Sequence, residues 1–134
     1  MALDTKQQFS LNAVLFDAVA ERNLERVKAA LVRGAQASNA ALDAYFSARG
    51  EEPMPLPHFA CRYYNEKVLD ALAAGGLVVD EKDRNGWTAL GRAVDGHYVD
   101  RVNHLLRLGA DPLALQGGDR TALDIARVHS KTPN

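Results

Sequence analysis

The sequence predicts an all-α chain of stacked helix pairs, and three observations carry that reading. The first is a self-match at a 33-residue step, in which Thr88, Ala89, Leu90 and Ala93 recur as Thr121, Ala122, Leu123 and Ala126. A period in this range marks a repeat architecture whose units bury their apolar faces only by stacking on one another, about three or more being needed. The second is spacing. Val99, Val102, Leu105 and Leu106 follow the i, i+3, i+6, i+7 pattern of one apolar helical face, and Leu24, Val27 and Leu31 do likewise. The third is punctuation: Gly34, Gly76 and Gly109 each close such a run, at the left-handed position that ends a helix, while Thr88 and Thr121 are suited to cap the helices that begin there.

The elements follow in order from that frame. Residues 1–10 read as a polar, flexible lead-in and residues 131–134 as a tail. The first repeat occupies about 11–38, because setting Gly34 on Gly109 brings Ala18, Val19, Leu24, Val27 and Leu31 onto Ala93, Val94, Val99, Val102 and Leu106. The second occupies 55–81, with Ala60, Leu69, Leu72 and Gly76 standing one step of the self-match before Ala93, Val102, Leu105 and Gly109. The third is 83–115 and the fourth, shortened, is 116–130. Twenty residues separate Gly34 from Pro55 but only 11 separate Gly76 from Thr88, so the junction of the first two repeats, 35–54, is nine residues longer (20 − 11). Within it Ala40 to Ala48 is compatible with a helix and Gly50 to Pro53 with an acidic turn; Tyr45 and Phe46 are its candidate anchors, whether for a partner or for local packing.

The residues of these units resemble a known family. TALGRAVDGHYVDRVNHLLRLGAD, from Thr88 to Asp111, resembles an ankyrin repeat in order, spacing and residue type. TALDIARVHS, from Thr121 to Ser130, looks like a terminal ankyrin repeat cut short, and PLPHFACRYYNEKVLDALAAGG, from Pro55 to Gly76, is similar to the middle of such a repeat, with the motif's His at His58 and its Ala at Ala60. The resemblance spans roughly Leu11 to Ser130 and implies a solenoid of about three and a half helix-pair repeats with an enlarged finger loop between the first and second.

Composition narrows the classes of function. A chain of 134 residues, 47% hydrophobic and 25% charged, suits one domain that buries roughly two-thirds of its unfolded surface. Sixteen basic against seventeen acidic residues leave a formal charge of −1, which gives no general attraction to phosphate backbones and argues against a nucleic-acid partner. The single cysteine, Cys61, excludes an internal disulfide and suits a reducing compartment. Without an N-terminal apolar region or an 18-residue apolar run, a cytoplasmic chain with no membrane partner is expected, monomeric when free.

Chemistry at a site is expected to be absent. His58 and Cys61 have an H-x-x-C spacing that could pair an imidazole with a thiol, the alternative enzyme reading, but each occupies a position where packing alone explains it. His97, His104 and His129 come from separate helices without a neighbouring cysteine or acidic cluster, and surface or loop positions account for them better than a metal site. Gly117 and Gly118 are followed by Asp119 rather than by a phosphate-binding GK, and suit a tight turn. No catalytic residue, metal or cofactor is therefore assigned, although a small-molecule or metal binder stays open as a further alternative.

What the resemblance implies instead is a protein-binding surface on the finger tips and the exposed sides of the first helices. Carried position by position, it comprises Lys82, Arg84, Asn85, Trp87 and Asp95 in the third repeat, Glu51, Glu52, Met54, Arg62 and Tyr63 with Arg49 before it, Arg120 after it, and Tyr45 in the enlarged finger. Trp87, with Arg84 flanking it, has the composition of an interface anchor; the opposing reading packs it on the adjacent finger. A stoichiometric inhibitor, such as an immunity protein against a toxin, and an adaptor are both compatible with this.

Overall fold

A computed structural model of the chain describes residues 3–37 and 45–131, with side chains through residue 127. Residues 38–44 of the long junction, the His129 side chain and nearly all of the 131–134 tail lie outside the described residues. The chain divides into two compact units, Met1–Val78 and Val79–Asn134.

In the first unit, α1 (Thr5–Ala20) pairs with α2 (Leu24–Val32), and α3 (Leu56–Arg62) pairs with α4 (Glu66–Ala74). The start of α1 corrects the flexible lead-in expected over 1–10, since the helix begins at Thr5. Asp4 and Gln7 form a capping box: the Gln7 N–H donates to Asp4 Oδ1 at 2.7 Å and the Asp4 N–H donates to Gln7 Oε1 at 3.1 Å. One turn on, the Gln8 amide donates to both Asn12 Oδ1 and the Gly34 carbonyl at 2.9 Å, while Asn12, itself buried, accepts from the Gln36 N–H at 2.8 Å. The polar residues of the lead-in thus cap α1 and tie it to the chain leaving α2.

The left-handed closures form where expected. Gly34 has φ +106° and Gly76 φ +102°, and the residues after them donate back to Ala30 and Leu72 at 2.9 and 3.0 Å. Asn23 caps α2 by accepting from the Arg26 N–H at 3.2 Å, and Asn65 caps α4 by accepting from the Lys67 and Val68 N–H groups at 3.0 and 3.1 Å. Leu15, Phe16, Val19, Val27, Leu56, Leu69 and Leu72 are fully buried.

The second unit opens on a turn at Asp83, whose carboxylate accepts from the Asn85 and Trp87 N–H groups at 3.0 and 2.9 Å. Thr88 then caps α5 (Ala89–Asp95), which pairs with α6 (Val99–Arg107). A two-stranded antiparallel hairpin follows, β1 (Leu115–Gln116) with β2 (Arg120–Thr121), turning through Gly117 and Gly118 as the sequence suggests. It leads into α7 (Ala122–Lys131), which packs on α5. Thr121 and Asp124 make the cap reciprocal, each backbone N–H donating to the other's side chain at 3.0 and 3.1 Å, and the Thr121 N–H holds the Asp124 carboxyl below its usual range.

Two expectations for α6 are corrected here. Val99, Val102, Leu105 and Leu106 do not share one buried face: Leu105 is fully buried, but Val99 is 68% and Leu106 42% exposed. The apolar run therefore turns two ways, inward at Leu105 and outward at Leu106. His104, expected at the surface, is 1% exposed and belongs to the inward side with Leu105.

Candidate protein-binding surface

The long junction returns to the first unit as a helical turn at 45–48. Tyr45 is 6% exposed, which corrects its assignment to a partner-binding surface. Its ring lies edge-on to Phe16, Phe46 and Phe59 at centroid distances of 5.2, 5.7 and 6.3 Å. Its hydroxyl donates to Asp17 Oδ1 at 2.6 Å, and the Arg49 guanidinium lies over the ring at 3.6 Å and 3.3 Å from the same carboxylate oxygen. Of the two readings the sequence left open for Tyr45 and Phe46, local packing is the one the side chains follow, because the aromatic residues they meet line α1 and α3.

Burial, followed by the bond to Asp17, pushes the Tyr45 phenol up to about 12, above the value of 10.0 for a free tyrosine. A raised folded-state value means that the contribution of Tyr45 is intact below pH 10 and declines as pH rises toward 12. The melting temperature is expected to fall between those limits by more in the parent than in Tyr45→Phe, which cannot ionise there; parallel curves would show the phenol to be solvated.

Arg62 and Tyr63 sit at the end of α3. Tyr63 is half-buried against Phe59, with ring centroids 5.1 Å apart, and two guanidiniums approach its ring, Arg62 at 5.7 Å and Arg22 at 5.8 Å. Arg22 is a residue that the sequence reading missed. It occupies the turn between α1 and α2 in a left-handed conformation, φ +57°, and its counterpart in the third repeat, His97, has φ +62°. The same alignment that sets Gly34 on Gly109 sets Arg22 on His97. Glu51 and Glu52 are exposed and Met54 is half-buried beside them in sequence.

In the second unit Lys82, Arg84, Asn85, Asp95 and Arg120 are exposed, and Trp87 is half-buried. The Arg92 guanidinium lies over the indole at 4.6 Å and is held there by donating from Nε to Asp83 Oδ2 at 2.9 Å. The indole edge runs along the next finger: a methyl group added at Gly117 would stand 3.4 Å from Trp87 Nε1, and the Gly117 N–H donates to the Gly86 carbonyl at 3.0 Å. Trp87 thus rests on the adjacent finger, as one reading had it, while keeping part of its surface in solvent.

His58 and Cys61 are both half-buried on α3, and Cys61 is a free thiol. Among the described residues no cluster of His, Cys, Asp and Glu could hold a metal ion, and no helix is long and apolar enough to cross a membrane.

A family model described as ankyrin repeats in 3 copies matches residues 15–116. The chain belongs to the ankyrin repeat family. Ankyrin repeats are in general protein-protein interaction modules, and the all-α helix pairs of both units fit that family. No curated protein matches the chain.

Proposed function

We propose that this ankyrin repeat chain is a non-catalytic binding module that holds a partner protein on its finger loops and first-helix surfaces, acting as a stoichiometric inhibitor, such as a toxin-immunity protein, or as an adaptor. The observation that supports this most is Tyr63, half-exposed with the guanidiniums of Arg22 and Arg62 at 5.8 and 5.7 Å from its ring. Neither arginine is held by a carboxylate of the described residues, so both keep donors for a partner. Aromatic and Arg side chains are the ones enriched where interfaces draw their binding energy, whereas an ordinary solvated face favours Lys and Glu. Arg62, Tyr63, Glu51, Glu52 and Met54 are the contacts assigned to the first unit, and Lys82, Arg84, Asn85, Trp87, Asp95 and Arg120 those assigned to the second. We place its action in the cytoplasm, on the strength of a single cysteine, with no cofactor.

The test is calorimetric titration with the partner recovered from the native host. Tyr63→Ala and Trp87→Ala are each expected to weaken binding by about 2 kcal/mol or more. Trp87→Ala also lowers stability, because it removes the support of Arg92 and the neighbouring finger, so Tyr63→Ala is the cleaner variant. Unchanged affinity in both would move the interface elsewhere.

A further inference from the structure

We propose that the outer side of α6 is a self-association surface that pairs two copies of this chain around a two-fold axis, in place of the free monomer that the sequence suggests. The reading is independent of the finger surface. Within the second unit α7 lies on α5, yet Val99 and Leu106 of α6 stay 68% and 42% exposed, and Leu123 of α7 is exposed with them. Alongside, Val94, His97, Val99, Val102 and Ala126 line a shallow groove of about 250 Å³. An internal helix of a repeat array carries such an apolar face for its neighbour. Contiguous apolar exposure of this kind marks an interaction site.

The charges around the stripe select the occupant. At 3.6 residues per turn, Asp100 and Arg107 lie about 20° apart on one flank of Val99, Val102 and Leu106, at opposite ends of the helix. Asp100 has 63% of its side chain exposed, where it already attracts Arg101 at 3.7 Å. A two-fold axis perpendicular to α6 sets two copies of the helix antiparallel, stripe on stripe, and brings the same flank of each together. Asp100 of one copy then faces Arg107 of the other, twice over, Val99 faces Leu106, and the helix dipoles oppose. Asn103, near the middle of the exposed side, falls close to the axis, where its amide can meet its own symmetry copy and fix the register. A parallel pair, whose axis runs along the helices, would instead carry this flank of the two copies to opposite sides and leave Asp100 and Arg107 unmatched. Reversed charge order along a shared apolar register is what symmetry supplies and what an unrelated helix would have to match independently. A specific interface needs on the order of 1,000 Å² in total, more than one helical stripe provides, so the exposed side chains of Leu123 on α7 and of Tyr98, next to Val99 in sequence, take part.

Sedimentation velocity of the full chain, from low micromolar to several hundred micromolar, is the test. The weight-average mass is expected to rise from 14.6 kDa toward twice that value. Leu106→Glu, at an exposed position, should leave helix content and melting unchanged while weakening association by about tenfold or more. Asp100→Arg and Arg107→Asp should each weaken it, and the two together should restore it. A mass of 14.6 kDa at every concentration, a dimer indifferent to Leu106→Glu, or a double variant no better than either single one overturns the proposal.

Discussion

Phe16→Ala is expected to cost about 3–5 kcal/mol of stability, the largest effect of any single substitution in the first unit. Phe16 is fully buried on α1 and meets Tyr45 edge-on at 5.2 Å. From there the contacts continue as one cluster, with Phe46 and Phe59 at 5.6 Å and Phe59 and Tyr63 at 5.1 Å. Truncation removes the apolar area of a large ring, leaves a cavity that the flanking helices cannot collapse to fill, and forfeits an edge-to-face contact of about 0.5–1.5 kcal/mol. Urea denaturation followed by circular dichroism measures it; a loss below about 1 kcal/mol would show that Tyr45 and Phe46 are loosely seated.

The same cluster changes what the long junction is for. Deleting Asn39 to Ala48 looks, from the sequence, like the removal of a surface finger that would impair binding and spare the flanking repeats. Residues 39–44 lie outside the described residues, but Tyr45 and Phe46 are 6% and 3% exposed, so the deletion takes two rings out of the core. Destabilisation of the first unit is the expected consequence, and any loss of binding in that variant would follow from it.

The parts of the fold legible in the sequence are those governed by local rules. Glycine after an apolar run, threonine before one, and a fixed repeat step each report on a single turn of backbone or on a repeated contact, and each formed where it was read. Two misreadings share a cause of the opposite kind. Nothing within a few residues of Tyr45 announces that Phe16 and Phe59, distant in sequence, will enclose it. Residues 4–8 look like solvated lead-in until the reciprocal bonds of Asp4 with Gln7, and of Gln8 with Asn12 and Gly34, are in view.

The first-helix position occupied by His58 shows the same limit from another side. The repeat step carries it to Gly91 and then to Asp124, three different residues at one place in the repeat. At Asp124 the carboxylate closes a capping box with Thr121. At Gly91 the space belongs to Gln116: a Cβ there would stand 2.1 Å from Gln116 Oε1, the atom that accepts from the Thr88 N–H at 2.8 Å. A glycine that reads as a weak helix residue is thus required by a side chain from the following finger. The candidate binding surface was legible only in outline, since position in a repeat predicts which residues face outward but not that Arg22 would join Arg62 at Tyr63.

Leu105→Ala should cost about 2–5 kcal/mol and Leu106→Ala less than about 1 kcal/mol, although the two leucines are adjacent and identical in chemistry. Adjacent residues on a helix point about 100° apart, so one apolar run cannot bury both against a single neighbour. Leu105 is fully buried and its carbonyl accepts from the Ala110 N–H at 3.0 Å, which fixes the turn through Gly109 at the end of the helix. With His104 at 1% exposure on the same inward side, truncating Leu105 opens a cavity lined by atoms that cannot follow. Leu106, 42% exposed, gives up area that water already reaches in the free chain. Denaturation is best compared at low protein concentration, because self-association through the α6 stripe would add to the cost of losing Leu106 as concentration rises. Equal costs for the two variants at low concentration would mean that α6 is rotated about its axis, and would remove with it the exposed stripe on which pairing depends.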